Sequence, residues 1–195
     1  RQMEMLRDKI KGLEHRITLL CEDYRNLTGQ YDKLVSIEMI EAVGHEFYQN
    51  YFRSCAGLLK EDGKMVLQAI TVADQRYQTA RDAVDFIQRY IFPGGCLPSV
   101  AVVAEHIAAD TDMQIVHLRD ITRDYALTLA HWRERFLANL DAVRSMGFSE
   151  EFVRMWEFYL CYCEGGFRER IISTVQMAFA KPGYRFANSA IGVGE

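Results

Sequence analysis

Apolar residues recur at helical spacing from the first positions of the chain: Met3, Leu6, Ile10 and Leu13 share a stripe, which predicts a helix over residues 2–13. The next segment, RITLLCED (16–23), is a short apolar run ending at two acids and predicts a buried strand. YDKLVSIEMIEAVGH (31–45) predicts a second strand through its apolar centre at 34–37, followed by a polar turn. A helix is expected over 46–59, closed by KEDGK (60–64) as a turn, and KMVLQAITV (64–72) reads as a third strand. In the second half, FIQRYIFPGGCLPSV (86–100) is too apolar for an ordinary connector and reads as a lid or a hydrophobic wall between two helices. MQIVHLRDI (113–121) predicts another strand. Residues 122–144 predict one long amphipathic helix with Tyr125, Leu129, Trp132, Phe136, Leu140 and Val143 on its apolar stripe. A second helix over 150–165 carries Phe152, Met155, Trp156, Tyr159, Leu160 and Cys163, and RERIISTVQMAFAKP (168–182) closes the pattern with a strand.

Strands alternating with helices of this length argue an α/β chain with a doubly wound, mostly parallel sheet. The strand–helix–helix–strand ending adds an antiparallel strand, expected at the sheet edge. One domain over residues 1–182 and a disordered tail over 183–195 follow. The chain is helical in character by Gln2 with no capping residue before it, so the sequence reads as truncated, its domain continuing upstream.

Composition narrows the function classes. About half of the 195 residues are apolar and the net charge is −4, which gives no footing for nucleic acid. The apolar runs are too short to cross a bilayer, and no signal peptide is visible. Five cysteines without a CxxC pair read as reduced thiols in the cytoplasm. The histidines lack HxH or HExxH spacing, so no metal site is expected, and there is no nucleophile elbow, Walker loop or GxGxxG.

Open parallel sheets bind ligands at the carboxyl ends of their strands. Those ends offer Glu22, Asp23 and Tyr24, then Glu38 and Glu41, then Gln68. An acid there suits a ribose or an adenine amino group, and it equally suits a helix cap. Glu41 lies between apolar residues, where a buried carboxylate must be paired; a solvated acid at a helix N-terminus is the competing reading. Tyr125 and Cys163 both fall on apolar helix faces, where a core tyrosine and a buried thiol are the plainer explanations.

Four segments then point to a family: YDKLVSIEMIEAVGHEFYQNYF (31–52), FIQRYIFPGGCLPS (86–99), DYALTLAHWRERF (124–136) and MWEFYLCYCEGGFRER (155–170). In order and spacing they resemble the cyclopropane-fatty-acyl-phospholipid synthases, a family that includes the mycolic acid cyclopropane synthases. The resemblance implies a class I methyltransferase (Rossmann-like) fold with an antiparallel last strand, lacking its first strand or strands here. It implies transfer of the methyl of S-adenosylmethionine to the cis double bond of an unsaturated acyl chain on a phospholipid, with a bound bicarbonate ion as base.

Carried over by position, Glu41 and Tyr125 match residues that hold the bicarbonate, and Ile70 contacts it through its backbone. Gln68 stands where better-known members have histidine, a change that removes a group able to titrate near neutral pH and leaves open a cyclopropane or a methylated product. Cys163 matches a cysteine associated with the active site, though an alkene attacking a sulfonium needs no protein nucleophile. Gln2, Asp23, Tyr24 and Ile37 match cofactor-binding positions, and residues 92–98 the lipid entrance. The glycine-rich loop that contacts the cofactor's methionine part is absent, which implies weak cofactor binding by these residues alone.

The implied enzyme works peripherally at the inner face of the cell membrane, with Arg89, Arg119, Arg123, Arg168 and Arg170 as candidate basic contacts and a homodimer as one possible assembly. A methyltransferase for a small soluble acceptor and a non-catalytic binding module on the same fold are the alternatives.

Overall fold

The computed structural model describes residues 2–185; the side chains of Gln2 and Met3, and most of the expected tail (186–195), lie outside the described residues. In chain order the elements are α1 (Gln2–Lys9), β1 (Tyr31–Ile37), α2 (Tyr48–Gly57), β2 (Leu59–Val72), α3 (Tyr77–Arg81), α4 (Phe86–Tyr90), α5 (Val100–Asp110), β3 (Gln114–Asp120), α6 (Thr122–Ala138), α7 (Leu140–Ser145), α8 (Glu150–Arg168) and β4 (Ile172–Ala180). The α/β class, with helices alternating with the strands of one mixed sheet, is as expected.

The sheet runs β1-β2-β4-β3, with β1 and β2 parallel and β4 antiparallel to both of its neighbours. The last strand is therefore antiparallel but interior rather than at the edge. Its burial explains the place: Thr174, Val175, Met177, Phe179 and Ala180 are all buried, which requires a neighbour on each side. β3, mostly exposed, is the edge instead.

Three further expectations are corrected. RITLLCED forms no strand, and Ile17 and Leu20 stand 37% and 52% exposed. A strand needs a partner for its backbone N–H and C=O groups, and none of the described strands pairs with this one. KEDGK is no turn but the first part of β2, its backbone held by Lys181 N–H on the Gly63 carbonyl (3.0 Å) and Gly183 N–H on that of Glu61 (2.9 Å). The single long helix breaks at Asn139 (φ −117°, ψ 22°) into α6 and α7, and Trp132, expected in its apolar stripe, is 43% exposed.

Two apolar clusters flank the sheet. The larger packs α2 and α5 on one face, through Tyr51, Phe52, Val103 and Ile107 against Met65, Leu67, Val175, Met177 and Phe179. The smaller joins α6 and α8 through Ala126, Leu129, Leu160 and Phe167, with Ile70 and Ile172 beneath. Buried Glu164 of α8 ties this helix pair together, accepting from Arg133 of α6 (3.2 Å) and from Arg168 (2.8 Å). Ser149 caps α8 by accepting from Phe152 N–H, and Ser99 caps α5 in the same way.

Candidate active site

The parallel strands β1, β2 and β3 present their carboxyl ends on one side of the sheet, and the polar cluster forms there. β1 stops at Ile37 because Glu38 turns to φ +50°, a left-handed conformation that costs a non-glycine residue roughly 1–3 kcal/mol. Glu38 N–H still donates to the Gln68 carbonyl at 2.9 Å, so the turn remains pinned to β2. Ser36 pairs with Leu67 and Ile37 with Gln68, so plain alternation would put the Glu38 side chain on the Leu67 face. The left-handed turn swings it over to the Gln68 face instead.

There the Glu38 carboxylate accepts two hydrogen bonds, from Tyr125 Oη at 2.7 Å and from Gln68 Nε2 at 2.9 Å. Gln68 is oriented in turn by Gln176 of β4, its directly paired residue, whose Nε2 donates to Gln68 Oε1 at 2.9 Å. Tyr125 belongs to the first turns of α6, and its phenol is driven well above the usual range by burial and by the adjoining Glu38 carboxylate. It remains a donor.

Glu41 lies one turn further on. Its Oε1 accepts from Ile70 N–H at 2.6 Å, while its buried Oε2 has no hydrogen-bond partner. Burial, partly offset by the Ile70 N–H, pushes its carboxyl above the usual range, and the neighbouring Glu38 adds to the rise. The backbone of Glu41 is clamped by the 92–98 segment: Cys96 N–H donates to the Glu41 carbonyl at 2.8 Å, and Gln88 Nε2 holds the Gly95 carbonyl at 2.9 Å. Gly95 is tightly placed, since a Cβ would sit 3.1 Å from the Phe92 carbonyl oxygen and the backbone would have to give by a few tenths of an ångström. The segment read from sequence as a lid or wall is thus also a brace for the carboxylate turn.

Aromatic rings enclose the cluster on the α8 side. Tyr125 and Phe167 have ring centroids 4.7 Å apart, Trp156 and Tyr159 5.0 Å, and Tyr159 and Phe92 6.4 Å. Burial pushes the Tyr159 hydroxyl up to about 12 and the Cys163 thiol up to about 12. Cys163 packs against the α6–α8 cluster with its thiol protonated, as a lining group.

Of the expected cofactor positions, Asp23 caps a single helical turn, and Arg25 holds its carboxyl down to about 2 by side-chain and backbone hydrogen bonds. Tyr24 packs edge-on against Tyr51 at 5.8 Å, and Tyr51 Oη donates to Ser36 Oγ at 2.7 Å, so this turn is tied to the carboxyl end of β1. Ile37, 62% exposed at that end, offers an apolar wall. An exposed apolar surface at the carboxyl end of β1, beside the acid of this turn, fits the adenosine part of S-adenosylmethionine. Gln2 falls where side chains are not described.

The bicarbonate ion does not fit. Tyr125 and Gln68, the side chains expected to donate to it, both donate to Glu38, and any anion placed there would face the carboxyl groups of Glu38 and Glu41 together. The sequence flagged Glu38 only as a strand-end acid. Its part in the cluster depends on a backbone turn that no periodicity reveals, and Gln176 depends on strand register. Among the described residues no group of histidines, cysteines and acids could hold a metal ion.

Residues 1–177 match the profile of the mycolic acid cyclopropane synthetase family. The tuberculostearic acid methyltransferase of Mycobacterium tuberculosis is 39% identical over 184 residues, covering 93% of this chain and 43% of its own length. The cyclopropane-fatty-acyl-phospholipid synthase of Escherichia coli K12 is 37% identical over 180 residues, covering 92% and 45%. The chain thus spans a little under half the length of these relatives. A crystal structure of a mycolic acid cyclopropane synthase complexed with SAH and CTAB superposes with TM-score 0.77 at 28% identity, covering 89% of this chain and 66% of that one.

Proposed function

The chain belongs to the mycolic acid cyclopropane synthetase family, and on that premise we propose that it acts in S-adenosylmethionine-dependent transfer of a one-carbon group to the cis double bond of an unsaturated acyl chain on a phospholipid. The observation that carries this reading is the juxtaposition of an oriented carboxylate cluster (Glu38, Glu41, Gln68, Tyr125) with the rings of Phe92, Trp156, Tyr159 and Phe167. Adding an electrophile to an alkene leaves positive charge on carbon. Aromatic faces and a fixed carboxylate stabilise such charge without the solvent reorganisation that water would need. A small polar acceptor would have no use for so apolar a wall.

S-adenosylmethionine supplies, when bound, an electrophilic methyl. Ile37, Asp23 and Tyr24 would hold its adenosine part. Tyr125 and Gln68 orient carboxylate oxygens, Ile70 N–H anchors Glu41, and the rings keep water away from the reacting carbons.

Lipid access is supported by a cluster of exposed apolar residues over α4 and α8. Tyr90, Phe158 and Tyr162 stand 57%, 52% and 42% exposed, joined through Phe86, which meets Tyr90 at 5.5 Å, Phe158 at 4.8 Å and Tyr162 at 5.8 Å, and Phe92 is 58% exposed. Arg89, stacked over Tyr90, supplies a basic contact for an anionic headgroup. Arg168 and Arg170, also candidates from the sequence, are instead paired with Glu164 and Asp120. No described helix is long and apolar enough to cross a membrane. Peripheral docking at the cytoplasmic face agrees with five free cysteines.

The test is partition of label. With methyl-labelled S-adenosylmethionine and vesicles of dioleoyl phospholipid, label should enter the lipid extract. Label confined to water-soluble products would replace this reading with that of a small-acceptor methyltransferase, and no transfer would favour a binding module.

A further inference from the structure

A glycine would hold φ +50° without strain, so a glutamate at position 38 poses the question of what its carboxylate does. The turn itself does not use it. The backbone N–H of Glu38 makes the link to the Gln68 carbonyl, while the side chain reaches out of the strand to Tyr125 and Gln68. Groups from three elements set its direction: Tyr125 from α6, Gln68 from β2, and Gln176 of β4 behind Gln68. Glu38 is half-buried, beside exposed Ile37 and Met39. Such an arrangement is an oriented proton acceptor at the carboxyl end of the sheet.

We propose that Glu38 is the general base of the reaction, a carboxylate of the chain itself standing where a small carboxylate-like anion would otherwise be held. This rests on the transferase reading above. Once the double bond has taken the methyl through its π electrons, with the sulfonium S–CH3 bond broken and its electron pair left on a neutral thioether, the neighbouring carbon is cationic. A C–H bond next to that centre then breaks. Its electron pair goes to the cationic carbon, closing a three-membered ring when the hydrogen comes from the new methyl or forming a new double bond when it comes from the chain. The proton passes to a Glu38 oxygen and from there to solvent. Gln68 has no part in carrying the proton; it is a positioning residue, which removes the need for a titrating histidine at its place.

The test compares the full chain with its Glu38→Gln and Glu38→Gly variants. Glu38→Gln should lower single-turnover transfer to dioleoyl phospholipid vesicles by about 100-fold or more, with the dissociation constant of S-adenosylmethionine unchanged. Glu38→Gly relieves the turn and empties the anion position. It should be equally slow in buffer freed of carbon dioxide, and added bicarbonate or formate should restore at least part of its rate. In calorimetry bicarbonate should give heat with Glu38→Gly and none with the native chain. Native activity that vanishes without bicarbonate and returns with it, or a Glu38→Gln variant within threefold of native, would overturn the role of Glu38 alone. A native chain that transfers nothing to the alkene would overturn the transferase reading and the base role together, which keeps the two failures distinct.

Discussion

Tyr125 donates a 2.7 Å hydrogen bond to Glu38 across 87 residues of sequence, joining the first turns of α6 to the turn that ends β1. The bond closes the polar cluster over the sheet. It also selects which carboxylate the tyrosine serves: Glu38, where the family resemblance pairs Tyr125 and Glu41 around a shared ion. Everything expected of the site follows from that choice, because a donor already satisfied by one carboxylate is not free for another anion.

Tyr125→Phe should therefore leave the ring contact with Phe167 intact and remove only the donor. A hydrogen bond to a charged group contributes about 1.5–3 kcal/mol, so turnover should fall by roughly tenfold to a hundredfold. The far-ultraviolet circular dichroism should not change. Rate and spectrum measured on the same preparation decide the point.

Glu41 gives the stability profile its sign. Its carboxyl is raised in the folded chain, so folding favours its protonated form. Its contribution is fully present below the ordinary carboxylate value and is lost as pH rises through the raised value. Glu41→Gln cannot titrate. The difference in melting temperature, variant minus native, should therefore become more positive as pH is raised from the acid side of the carboxylate range to neutrality. A difference that is flat with pH would mean that burial does not control this group.

The fold was largely legible in the sequence, and the places where it was not share a physical cause. β1, β2, β3, β4, α2 and α8 stand where periodicity puts them. RITLLCED and KEDGK went the other way because strand formation depends on partners. The apolar segment has no neighbour among the described strands, and the polar one has backbone bonds from residues 181 and 183. β4 reads as an edge only if connection order is taken for spatial order. At the site, Glu41, Ile70, Gln68 and Tyr125 do converge at the sheet's carboxyl end, while Glu38, visible only as a strand-end acid, gave no sign of its place in the cluster because its direction is set by one φ angle.

Cys163 should prove dispensable as a nucleophile. With its thiol pushed up to about 12, it should react with iodoacetamide at mildly alkaline pH far more slowly than exposed Cys21 and Cys161. Peptide mass spectrometry after timed labelling reads the order. Cys163→Ala should keep most of the turnover, losing only what a small cavity in the acyl-facing wall costs.

Glu164 should matter for stability more than for chemistry. Its removal in Glu164→Ala leaves Arg133 and Arg168 without their shared acceptor between α6 and α8. Losing a buried acceptor for charged donors costs about 1–3 kcal/mol, discounted here because both arginines are part-exposed. Urea unfolding should show a lower midpoint with an unchanged slope.

The fate of the acyl double bond tests the account most directly. Dioleoyl phospholipid vesicles are incubated with the protein and trideuteromethyl S-adenosylmethionine, and the released fatty acids are analysed by mass spectrometry. The account predicts acyl chains that have gained one carbon from the donor and lost a proton to the protein. Loss of one deuterium marks proton loss from the new methyl, as ring closure requires, and full retention marks proton loss from the chain. Oleoyl chains recovered unchanged, with deuterium only in water-soluble methylated products, would contradict it.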